Sequence, residues 1–122
     1  MQKYRDIMVQ VIDLTSTMIE GAAHMQVLLN EGKFEQSIIL FEDVMKAYSA
    51  VERSVAPVLV ELEEEEVQGQ LVRVRESLEL VVSAFERKNF AHSKELLQFG
   101  LIPALKKAET QFIQAFSTYL VS

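Results

Sequence analysis

Apolar residues recur along this chain at alternating steps of three and four. That spacing lays a stripe along an α-helix that faces near-parallel neighbours. Over residues 3–31 the stripe is Tyr4, Ile7, Val11, Leu14, Met18, Met25 and Leu28, with Gly21 at the missing step. Met8, Ile12 and Ile19 widen it on one side, as a helix with more than one neighbour requires. A second stripe starts near Phe34 and takes in Ile38, Phe41, Met45, Tyr48, Val55, Leu59 and Leu62, with Glu52 as its one polar step. A third runs through Val67, Leu71, Val74, Leu78, Val81 and Phe85. The fourth is Leu97, Leu101, Leu105, Ala108, Phe112, Ala115 and Tyr119. The spacing predicts an all-α protein: an up-down four-helix bundle built of two helical hairpins, one domain over residues 1–122.

Two turn-like stretches lie 56 residues apart, Leu29-Asn30-Glu31-Gly32-Lys33-Phe34 and Phe85-Glu86-Arg87-Lys88-Asn89-Phe90. At the same offset Glu20/Glu76, Phe34/Phe90, Ser37/Ser93 and Leu40/Leu96 are identical pairs. Each stretch is predicted to be the turn of a helical hairpin with its Phe tucked beneath. Gly32 supplies the left-handed C-terminal conformation that ends the first helix, and Asn89 is the expected N-cap of the fourth. Gly100 and Pro103 predict a bend in that last helix. Pro57 leaves two readings open. The second helix ends near Arg53 and a new one begins at Pro57, or it kinks there and continues to about Glu64. The absence of Gly, Pro, Asn and Asp from residues 58–68 favours the first; equal hairpin lengths favour the second.

Charge and composition narrow the function classes. The chain has 122 residues, enough for a single core, and 49% of them are hydrophobic, which excludes a disordered chain. Net charge is −6 and the basic residues are scattered, which argues against nucleic acid as a partner. No uncharged apolar run reaches the roughly 18 residues of a membrane span, so no membrane is expected. With no Cys, disulfides, thiol nucleophiles and Cys-ligated metals are excluded, and the cytoplasm is the expected location. Glu61 and Glu63 to Glu66 form the most acidic run. It reads as a solvated face or as carboxylates at a helix N-terminus, with a cation or a basic partner as the alternative.

Two constellations carry candidate chemistry. Arg87-Lys88-Asn89-Phe90-Ala91-His92 resembles, over six residues, the Arg-x(4–6)-His motif of HEPN-type ribonucleases, small all-α proteins that dimerise to build a composite site. That resemblance implies Arg87 for phosphate charge and His92 for proton transfer, roles these side chains suit. The residue after the Arg is often Asn, Asp or His in that family and is Lys88 here. The second constellation is metal-like. An up-down bundle puts Glu20 and His24 at the same end as His92 and Glu95, a donor set for Zn, Mn or Fe. Against it, His24 falls on the polar stripe Lys3, Gln10, Thr17, His24, which points out of the core. No glycine-rich phosphate loop or nucleophile elbow occurs. The expected function is therefore non-enzymatic and cofactor-free: protein–protein interaction, by self-association as a homodimer or in a small adaptor or chaperone-like role. A metal-binding protein or a HEPN-like ribonuclease using the helix 3/4 turn is the alternative.

Overall fold

The computed structural model describes residues 2–121; Met1 and Ser122, the ends of the expected domain, lie outside the described residues. A 3-10 turn, Gln2–Tyr4, leads into α1 (Arg5–Asn30), followed by α2 (Phe34–Glu61), α3 (Glu65–Glu86) and α4 (Phe90–Leu96). α4 runs through a π turn, Leu97–Leu101, into α5 (Ile102–Leu120). α4, the π turn and α5 form the fourth helix of the bundle. α1 packs along α2 on one side and α5 on the other, and α3 closes the ring against α2 and α5. All six stripe residues of α3 are buried, as are Val11, Met18, Met25, Phe41, Tyr48, Val55, Leu105 and Phe112 from the other helices. The all-α bundle expected from the periodicity is the fold observed.

α2 passes through Pro57 without stopping, so of the two readings the continuous helix is the one formed, ending at Glu61. Pro57 is exposed along with Arg53 and Ala56. The Arg53 carbonyl that the proline leaves without a helical partner therefore lies on the solvent side, where water can satisfy it. Pro103 also lacks an N–H, and the irregularity expected around it takes the form of the π turn just upstream. Beyond that turn the buried Gln70 of α3 donates from Nε2 to the Ala104 carbonyl at 2.9 Å. At the opposite end of the chain's path, the Arg5 guanidinium donates to the carbonyls of Tyr119 and Leu120 at 3.2 and 3.0 Å. A cation thus caps the C-terminus of α5, where the helix dipole favours one.

The three inter-helix turns share one geometry. Gly32, Glu63 and Lys88 each have positive φ, at 76°, 56° and 56°. In each turn the next N–H closes back on the helix: Lys33 to the Leu28 carbonyl at 2.8 Å, Glu64 to Leu59 at 2.9 Å, Asn89 to Ala84 at 2.9 Å. This is the Schellman arrangement, with orphan carbonyls of the last turn satisfied by the residues that leave it. Asn89 also caps α4 as expected, its side chain accepting from the His92 N–H at 3.2 Å.

The expectation that Phe34 and Phe90 are tucked beneath their own turns is corrected by the structure. Phe34 is 36% exposed, and the two rings stack on each other, centroids 4.0 Å apart and planes 1° apart. The repeated Phe faces its counterpart across the two hairpins because both turns lie at the same end of the bundle. Phe90 reaches the core through Phe85, which meets the buried Phe41 edge-on at 5.4 Å.

Two outcomes follow. Glu63→Gly and Lys88→Gly should each stabilise the fold by about 0.5–1 kcal/mol in urea unfolding, because relief of left-handed strain exceeds the entropy glycine adds to the unfolded chain; Gly32→Ala should destabilise it by about 1 kcal/mol. A double-mutant cycle on Phe34→Ala and Phe90→Ala should give a coupling of about 0.5–1.5 kcal/mol, as for a stacked pair; a coupling near zero would contradict the stack.

Candidate functional site: the groove between α2 and α3

The ring of helices is not evenly packed. α2 and α3 touch more sparsely than α1 does with α2 or α5. Two cavities of about 210 Å³ each open along the α2–α3 seam. The upper is lined chiefly by Met45, Tyr48, Leu78 and Val82, the lower by Ala56, Leu59, Val60, Leu71 and Val72. Glu52 and Arg75 line both and form an ion pair between them, with Arg75 Nε 3.0 Å from Glu52 Oε2. A third depression, lined by Val60, Glu63, Glu65 and Gln68, continues the lower cavity onto the α2–α3 turn. The rim is apolar where a closed bundle would be polar: Val60 is 67% exposed and Val72 44%.

Tyr48 fixes the seam from inside. Its hydroxyl, on a nearly fully buried side chain, donates to the Leu71 carbonyl of α3 at 2.5 Å and lies 3.1 Å from Glu52 Oε2. Burial, then the negative charge of the nearby Glu52, hold this phenol well above its ordinary value of 10.0, with Arg75 opposing in part. The hydrogen bond and negative charge of Glu52 in turn push the Arg75 guanidinium above its ordinary value. Among the described residues the polar links across the seam are therefore one buried hydrogen bond and one exposed ion pair.

The residues singled out for chemistry lie elsewhere. Arg87 is exposed at the end of α3, and His92 is half-buried in the first turn of α4. Glu20, His24 and Glu95 are exposed, His24 on the outward stripe where the spacing put it. Among the described residues no group of three or more His, Asp or Glu side chains is placed to hold a metal ion, so Glu20, His24, His92 and Glu95 are not brought together as a ligand set. The groove residues carried a weaker signal. Glu52 stood out as the polar step in the second stripe, and its partner Arg75 lies 23 residues on, too far for any local spacing rule. Val60 and Val72 are apolar residues off the stripes.

Substitution of Tyr48 tests this description of the seam. Tyr48→Phe should cost about 1 kcal/mol of stability near neutrality. A folded-state pKa raised above the unfolded value contributes stability that is fully present below pH 10.0 and lost as pH rises beyond it. Urea unfolding of the natural protein should therefore weaken above pH 10, and Tyr48→Phe should flatten that decline; an unchanged alkaline slope would show that Tyr48 is not held protonated by its surroundings.

Among the described residues no helix is long and apolar enough to cross a membrane. No curated protein and no solved structure matches the sequence. One family does: its model, described as "Domain of unknown function (DUF8042)", matches residues 6–111, from the first turn of α1 to the middle of α5. With that match covering most of the chain and reaching into all four bundle helices, the chain belongs to the DUF8042 family.

Proposed function

We propose that this protein is a non-enzymatic helical bundle that works in the cytoplasm by binding another protein or a second copy of itself, in a small adaptor or chaperone-like role. The observation that carries this reading is the α2–α3 seam, with apolar cavities open to solvent and Val60 and Val72 exposed on their rims. Grooves between two helices that leave apolar surface uncovered are suited to receiving a third helix. Further exposed apolar side chains, among them Ile39 on α2, Leu80 on α3 and Phe99 in the π turn, add contact surface that the bundle itself leaves uncovered.

Photo-crosslinking in cells that make the protein tests the reading. A crosslinking residue placed at Val60 or Val72 should give discrete adducts, and one at the exposed Lys107 of α5 should not. An adduct of twice the chain mass identifies a second copy, and any other discrete mass a different protein. No adduct at either groove position, or the same smear at all three, would overturn the reading.

A further inference from the structure

The charge of the chain is divided between its halves. Residues 34–86, which are α2, α3 and the turn between them, hold 12 of the 18 acidic and 4 of the 12 basic residues, a net charge of −8. The remainder carries +2. The groove therefore lies in the half that accounts for all of the protein's excess negative charge. The excess is greatest at the lower end, where Glu61, Glu63, Glu64, Glu65 and Glu66 surround the α2–α3 turn. Among the described residues Glu61 pairs with Lys3 at 3.9 Å, and Glu63 to Glu66 make no ion pair. Val60 lines both the apolar lower cavity and the depression bounded by Glu63 and Glu65, so apolar and acidic surfaces are continuous.

We propose that this groove takes an amphipathic helix of another protein, apolar on the buried face and rich in Lys and Arg at the end that lies beside the α2–α3 turn. The proposal rests on reading the groove as a protein-binding surface and adds the chemistry of what binds. The two cavities are centred about eight residues apart along α2, or about 12 Å, slightly more than two helical turns. Apolar side chains seven residues apart on the docked helix reach both. The lined stretch of α2, from Met45 to Val60, is about 22 Å long and accepts about four turns of a partner. The Glu52–Arg75 pair stands between the two anchors and borders a helix with a small residue at that step. A second copy is a poor occupant: groove-to-groove contact under two-fold symmetry would press two halves of net charge −8 together.

Synthetic amphipathic peptides supply the test. Each carries Leu at positions seven apart on one face and differs only at one end, which is Lys-rich, Gln-rich or Glu-rich. Binding to the full-length protein is followed by fluorescence anisotropy and by amide chemical shifts. The Lys-ended peptide should shift residues along both sides of the groove and bind at least about tenfold more tightly than the Glu-ended one at low salt. Val60→Asp and Val72→Asp should abolish binding; both positions are exposed, so the fold should tolerate the changes. Glu63→Gln with Glu65→Gln should weaken the Lys-ended peptide and leave the Gln-ended one unchanged. Equal binding of all three peptides in the groove would overturn the charge assignment while leaving the groove reading intact. Shifts elsewhere on the molecule, or no binding by any peptide, would overturn both. A peptide-free dimer that Val60→Asp dissociates would show the occupant to be a second copy and overturn the proposal.

Discussion

Each reversal of the chain is made by three residues, one of them in the left-handed conformation, and this shortness constrains everything else. Three residues cannot cross the diagonal of a bundle, so each helix must lie beside the one before it and run the opposite way. The ring order follows, and with it the closure of α1 against α5 that no turn enforces. Because the turns at Gly32 and Lys88 share one end, Phe34 and Phe90 leave their turns side by side and stack. The turn at Glu63 occupies the other end, where the Arg5 cap on the C-terminus of α5 also lies.

Three turns of one shape do not produce three seams of one quality. The hairpin α1–α2 is the most closely packed pair, with Gly21 set so close that an added Cβ would stand 3.1 Å from Val44. The α2–α3 seam is instead joined at its centre by polar groups, the Tyr48–Leu71 hydrogen bond and the Glu52–Arg75 pair. Polar joints hold at fixed points and leave the length between them unfilled, whereas apolar packing must be continuous to be stable. The cavities on either side of Glu52 and Arg75 are the geometric result.

How much of this was legible in the sequence depends on the range of the interaction. The helices were, because the stripe from Val67 to Phe85 reports burial directly and every member of it is buried. Gly32 and Asn89 were, because one residue type is strongly favoured by the local geometry. The turn at Glu63 was not: a Glu at φ 56° carries no compositional mark, and Pro57, which does, sits where solvent tolerates it. The Phe34–Phe90 identity was visible, but the face each ring takes depends on the neighbouring hairpin. The groove was least visible of all. It depends on the spacing between two helices, set by Tyr48 and Leu71, which lie 23 residues apart and look like ordinary stripe residues.

The two polar joints of the seam differ in how readily they can be exchanged. The Glu52–Arg75 pair is exposed, and such pairs contribute on the order of 0–1 kcal/mol, so an incoming cation or hydrogen-bonding group can replace one partner at little net cost. The Tyr48 hydroxyl is buried, and breaking its bond would leave the phenol or the Leu71 carbonyl without one of its partners away from water. A helix entering the groove would therefore rearrange Arg75 and leave Tyr48 in place. The width of the seam would stay fixed at its middle while the surface above it adapts. In the proposed binding role that division has a use: the buried bond keeps the groove formed before a partner arrives, and the exposed pair screens its floor without sealing it.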